Sequence, residues 1–231
     1  MKTLSYLMMG IILVMLSSCS HDVYNNRSYL SSHDFNGKKL AVLPVEVYYT
    51  GVPAATTDDA RTEENATSLS TQTQVEQTFL MHTSKHGAKK FQQQVQMMNS
   101  NQVNDRIKSA VPDLRTAWKM APDSLGRLAR ADLVLKVRLV RTRYMSEGLA
   151  RGINTGKAIF DAVVNTSTNG LAFTPRIKAY GIQYEISLID AKTGTLISSY
   201  INKPEDDKNG NSIEKGNELM AKQAAVYAAA N

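Results

Sequence analysis

The chain has 231 residues, 27 of them basic and 21 acidic, for a formal charge of +6. Hydrophobic residues at 42% against 21% charged form an ordinary globular balance, which excludes wholesale disorder. A single cysteine excludes an intramolecular disulfide framework and any zinc cluster built from several cysteines.

Met1–Ser18 opens with Lys2 and continues as an apolar run from Leu4 to Leu16, interrupted by Ser5 and Gly10. A membrane-spanning helix needs about 20 apolar residues. The shorter run fits the apolar centre of a secretory signal, about 7–15 residues long. It ends in Leu16-Ser17-Ser18-Cys19, which resembles the bacterial lipobox: an aliphatic residue, two small ones, then the cysteine whose thiol receives diacylglycerol. The resemblance implies a lipoprotein signal peptide over 1–18 and acylation at Cys19, with palmitate among the acyl groups. Several acyl chains give stable anchoring at about 0.8 kcal/mol per buried methylene. Ser20, not Asp, follows the cysteine, and by resemblance to Gram-negative sorting signals this implies the outer membrane, with the periplasmic and surface faces both open. The stretch from Cys19 to Gly37 is polar and without period, and is expected to be a flexible tether carrying His21 and His33 in solvent.

Lys38–Tyr49 is the first strand, apolar on both faces as a central strand is. Pro44 inside it argues for a bulge, or for the strand weakening there. Thr50–Ala55 turns the chain, and Thr56-Thr57-Asp58-Asp59 starts a helix predicted to run from about Arg61 to His86, with Leu69, Val75, Phe79 and Leu80 as its apolar stripe. A short strand follows over Lys89–Met98, with Phe91, Val95 and Met97 on one face. Asn99 or Asn101 then caps a helix through Val103 and Ile107. Pro122-Asp123-Ser124 opens a helix over Leu125–Arg130.

Ala131–Tyr144 alternates strongly, Leu133, Leu135, Val137 and Leu139 on one face and Lys136 and Arg138 on the other. Lys178–Ile189 alternates again, and Asp190–Gly194 turns it into Thr195–Asn202. A charged loop, Pro204–Asn211, precedes a closing helix predicted over Ser212–Ala229 with Ser212 as its cap. The fold class is therefore α/β (α+β): one domain over 38–231, a mixed sheet of about five strands with flanking helices. A helical insert interrupts it at about 146–174, where Leu149, Ile153, Gly156, Phe160 and Val163 recur at helical spacing.

The strand Lys39–Val45, the segment Ala117–Pro122 leading into Leu125, the strand around Asp132–Leu139 and the Asp190–Gly194 hairpin follow a lipidated cysteine in an order that is similar to one family of domains. That family is the periplasmic domain of curli-secretion lipoproteins and of lipoproteins that activate penicillin-binding proteins. The propeller protein of the Tol–Pal system opens with a similar domain. The resemblance implies adaptor or secretion roles in the cell envelope and carries over no catalytic residue. Curli-secretion lipoproteins form a pore from membrane hairpins of alternating residues, whereas the insert here has helical periodicity.

Few residues suggest chemistry. His82 and His86 stand four apart, but Thr83 holds the place a metalloprotease gives to Glu, so a solvated helix face is expected and no metal site. Thr155–Lys157 lacks the first glycine of a phosphate loop. Asp58, Asp59, Glu63 and Glu64 are expected as a cap and a solvated first turn. The basic set Lys136, Arg138, Arg141, Arg143, Arg151, Arg176 and Lys178 has two readings: a surface for anionic headgroups or an acidic partner, or a strand face defended by charge. Ile153, Phe160 and Val163 likewise either pack on their own domain or meet a partner. The expectation is a non-enzymatic, outer-membrane-anchored binding module without cofactor, meeting the membrane through its lipid and an envelope protein through its domain. Nucleic acid is not an expected partner. An oligomeric export component is the alternative, and a periplasmic hydrolase comes third.

Overall fold

A computed structural model describes residues 23–51, 57–144, 180–202 and 211–229. The insert and most of the Pro204–Asn211 loop lie outside the described residues. In chain order the elements are β1 (Tyr24–Asn25), α1 (Arg27–Ser32), β2 (Lys39–Val42), β3 (Glu46–Gly51), α2 (Thr57–His86), β4 (Gln93–Met97), α3 (Ser100–Lys108), α4 (Leu114–Ala117), α5 (Pro122–Ala129), β5 (Leu133–Arg143), β6 (Tyr180–Asp190), β7 (Leu196–Ile201), α6 (Ser212–Gln223) and β8 (Val226–Ala229). The mixed α/β class expected from the sequence is the one observed. The sheet has eight strands, however, more than the five or so the sequence predicts, in the order β1-β7-β6-β5-β2-β4-β8 with β3 also on β5.

β5 and β6 form the spine, antiparallel from Leu133 opposite Asp190 to Arg143 opposite Tyr180. The hairpin to β7 turns where the Asp190 carboxylate accepts from the N–H groups of Lys192 and Thr193 at 2.8 and 3.0 Å, and Gly194 takes φ +70°. The expected first strand is two strands. Pro44 cannot donate to a ladder, and on either side of it β2 and β3 lie parallel to successive halves of β5, Leu40 opposite Leu133 and Glu46 opposite Arg138.

Two expectations at the ends are corrected. The closing helix stops at Gln223, and Val226–Ala229 leaves it as β8, parallel to β4 with Val226 opposite Gln93. The helix is preceded by Asn211, whose side chain makes no cap bond, and Ser212 is buried inside its first turn. At the other end, the described residues begin at Val23, where the sequence shows no period. Asn25 pairs with Ser198, the Asn26 N–H donates to the Ile197 carbonyl at 2.8 Å, and Tyr29 reaches the hairpin, its hydroxyl 3.1 Å from both Asp190 Oδ2 and Thr193 Oγ1. His33 stacks on Tyr29 with ring centroids 3.8 Å apart, so it is held against the domain.

Helices cover both faces of the sheet. α2 and α6 pack on Val42, Leu135, Tyr184 and Ile186 through Val75, Phe79 and Met220. α3, α4 and α5 pack on the opposite side against Ala41, Leu43 and Val134 through Val103, Ile107 and Leu125. Gly216 lets α6 close on the sheet, since a Cβ there would stand 2.8 Å from ring atoms of both Tyr184 and Tyr200. The Tyr184 hydroxyl donates to Asn217 Oδ1, and complete burial, with Tyr200 beside it, pushes the phenol well above its ordinary value.

α2 is weakly amphipathic because part of its buried stripe is polar. Glu64, Ser68, Gln72 and Glu76 recur every four residues along one line. The Glu64 carboxylate accepts from the Tyr49 N–H at 2.9 Å, the Ser68 hydroxyl donates to the Val45 carbonyl at 2.7 Å, and Gln72 Nε2 donates to the Val42 carbonyl at 2.8 Å. Gln72 and Asn104 exchange amide bonds at 2.9 and 3.0 Å, and Glu76 accepts from the Ser100 N–H at 2.9 Å at the start of α3. Glu64, Ser68 and Gln72 thus bond backbone groups on both sides of Pro44, and Gln72 and Glu76 tie α2 to α3.

Candidate functional site

β5 carries four of the basic residues singled out in the sequence, and its pleat separates them. Successive side chains of a strand point to opposite faces, so Lys136 and Arg138 share the Val134 side, while Arg141 and Arg143 share the side of Leu133 and α2. Lys136 Nζ lies 2.8 Å from Glu46 Oε1, a carboxylate that is itself buried. Arg141 lies 3.7 Å from Glu63 Oε1 on α2, with its guanidinium 5.6 Å from the Tyr49 ring. Arg143 ends the strand opposite Gly51 and Tyr180, partly exposed. The structure thus brings Lys136 and Arg138 together and sets Arg141 apart from them. Arg151, Arg176 and Lys178, the insert residues Ile153, Phe160 and Val163, and Cys19 lie outside the described residues.

Arg138 is exposed and sits at the end of a ladder. Its guanidinium lies 5.6 Å from the Tyr48 ring, Tyr48 meets Trp118 edge-on at 5.8 Å and 74°, and Arg115 covers Trp118 at 5.0 Å. Arg115 is fixed from behind by the Glu64 carboxylate. Trp118 is 3% exposed and its indole N–H has no hydrogen-bond partner. Each cation–π contact contributes about 0.5–1 kcal/mol at an exposed position. Across the sheet Arg138 stands in register between Glu46 on β3 and Glu185 on β6. Charges therefore alternate in sign along this face, with guanidinium groups placed over aromatic rings. Such groups offer planar, bidentate donors to a carboxylate or a backbone carbonyl.

Tyr48, Trp118 and Arg115 carry no role in the sequence reading. Trp118 lies within the Ala117–Pro122 segment that marks the family resemblance, and Tyr48 within the first strand, but nothing in the spacing joins them. Of the acidic residues expected in a solvated turn, Glu63 is exposed and Glu64 departs from the expectation. Glu64 is not in a solvated turn; it is 6% exposed and bonded to both Tyr49 and Arg115. His82 borders a groove between α2 and α6 with Lys85, Glu214 and Glu218. Among the described residues no group of three His, Cys, Asp or Glu side chains gathers to hold a metal, and no helix is long and apolar enough to cross a membrane.

No protein-family model matches the sequence, and no curated protein sequence does. Among solved structures there are distant likenesses. The LpoB C-terminal domain from Salmonella enterica is 12% identical, at a TM-score of 0.33, covering 77% of this chain and 93% of its own. Lipoprotein GNA1162 from Neisseria meningitidis is 9% identical, at 0.33, covering 71% and 80%. One neighbour is thus itself a lipoprotein. The PelC dodecamer from Paraburkholderia phytofirmans is 13% identical, at 0.32, covering 82% and 90%. These are distant likenesses, and they assign no function to this chain.

Proposed function

We propose that the chain is a non-enzymatic lipoprotein of the cell envelope, anchored to the outer membrane through acylated Cys19, that binds an envelope protein through the face bearing Arg115, Tyr48 and Arg138. The observation that carries the reading is the aromatic-backed guanidinium ladder. Arg, Tyr and Trp are the residue types that dominate binding energy at protein interfaces. Here both guanidinium groups are already oriented on rings, which lowers the cost of ordering them on binding. Confinement of domain and partner to one compartment by the anchor raises their effective concentration. Lys136 is proposed to border this contact, and Arg176, Lys178, Ile153, Phe160 and Val163 to extend it; Arg141 and Arg143, on the other side of β5, are not part of it.

The test is photo-crosslinking in intact cells with a reactive residue at Tyr48 or Arg138, and at Lys108 on α3 as the control. One defined protein captured at the first two positions and absent at Lys108 is the expected result. Equal capture at all three would reject this face. Metabolic labelling with a palmitate analogue, present in the wild type and absent in Cys19→Ala, checks the anchor separately.

A second reading, assembly with copies of itself, is supported by the sheet edge. β8 ends the sheet with the uncharged sequence Val-Tyr-Ala-Ala, and the opposite end is the two-residue β1. An edge strand without charge offers its backbone for pairing.

A further inference from the structure

A groove opens beside Val23 and Tyr24. It encloses about 1240 Å3 between β1 and α1, the approach to β4, the outer part of β7 and the end of α6. Three of its lining residues are large and apolar yet exposed: Tyr24 at 54%, Phe91 at 58% and Ile201 at 55%. Three others, Arg27, Lys89 and Lys222, are exposed cations, and none of the described lining residues is acidic. This differs from the ladder face, where each sign is interleaved with the other. Cys19 precedes Val23 at the groove wall by four residues. That length spans at most about 14 Å when fully extended.

We propose that this groove is the face the domain lays against an anionic membrane surface, an inference that rests on the Cys19 anchor proposed above. Tyr24, Phe91 and Ile201 would enter the headgroup region, where aromatic and apolar side chains of peripheral proteins sit. Arg27, Lys89 and Lys222 would meet lipid phosphates, each cation adding attraction that falls away within a Debye length. The short leash is the positional argument: an anchor within about 14 Å of the groove holds this side of the domain toward the bilayer and leaves no long tether for it to turn away.

The full chain is tested as the acylated protein, purified in detergent and reconstituted into vesicles. An acylated Cys19 has no free thiol, so the wild type takes up no maleimide, and Phe91→Cys or Lys108→Cys introduces one reactive position. An environment-sensitive maleimide dye at Phe91 is expected to shift to the blue and to be quenched by shallow spin-labelled lipids in phosphatidylglycerol vesicles. The same dye at Lys108 should show neither effect. Adding Lys89→Glu and Lys222→Glu should shift the docked equilibrium by about 30-fold and return the Phe91 dye to solvent. Phosphatidylcholine vesicles or high salt should do the same in part.

Quenching at Phe91 no greater than at Lys108, with Cys19 unreactive, would overturn the inference and leave the anchor standing. Shielding of Phe91 from aqueous quenchers only when another protein is present, and never by lipid, would overturn it in favour of a protein contact. A wild type that takes up maleimide at Cys19 would instead remove the anchor and the inference with it.

Discussion

At the scale of single residues, the most informative contacts are polar ones inside the fold. Gln72 is 1% exposed and joins α2 to the Val42 carbonyl and to Asn104 at once. Gln72→Leu strands both partners without hydrogen bonds, and each buried unpaired group costs about 1–3 kcal/mol. A fall of about 2–4 kcal/mol in unfolding free energy, measured by urea titration, is the expected outcome. A loss below about 0.5 kcal/mol would show that the line of polar residues on α2 does not hold the sheet edge. Tyr184 gives a pH signature. Its phenol stays protonated in the folded chain while the unfolded phenol ionises above about 10. Unfolding therefore releases a proton above that pH, and stability falls as pH rises past it. Tyr184→Phe should be the less stable at neutral pH, for want of the bond to Asn217, yet its stability should fall less steeply above about pH 10.

At the scale of elements, the strands that alternate were legible and those made by their neighbours were not. Leu133 to Leu139 and the Asp190–Gly194 turn declare themselves by period and turn chemistry, and Pro44 marks the break between β2 and β3. Ala224 to Ala229 looks helical because alanine is the best helix former; only β4 alongside makes Val226–Ala229 a strand. β1 is two residues long and exists by pairing with β7, so no window of sequence could reveal it. α2 was located by its stripe of Val75 and Phe79, but Glu64, Ser68 and Gln72 look solvent-facing until the carbonyls they bond are known. The ladder was hidden for the same reason, its four members coming from α4, β3, β5 and the residue after α4. The N-terminal segment supplies a test. Tyr29→Ala removes the stack on His33 and the bonds to Asp190 and Thr193. Trypsin cleavage after Arg27 should then run about 5–30-fold faster under native conditions, with cleavage sites in the sheet unaffected.

At the scale of the whole molecule, the two ends of the sheet decide between a single adaptor and an assembly. The mass of the acylated protein in mild detergent, by light scattering, is expected to be that of a monomer if the ladder face serves a different protein. A large, defined oligomer would favour the edge-pairing reading, and Tyr227→Lys should dissolve it by placing a charge on the β8 edge. Monomeric wild type would leave the edge as a mere end of the sheet.

The same ends bear on how the chain comes to be folded at all. Asn25 bonds Ser198 across 173 positions, and Tyr227 bonds Gln94 across 133. Each outermost strand thus waits for a partner synthesised far from it, and β4 stays uncovered on one side until Val226–Ala229 has emerged. Contacts so distant in sequence make folding slow. For the export that the proposed Cys19 anchor requires, that delay is a gain, because a chain whose sheet closes late stays longer as a thread that can cross a membrane.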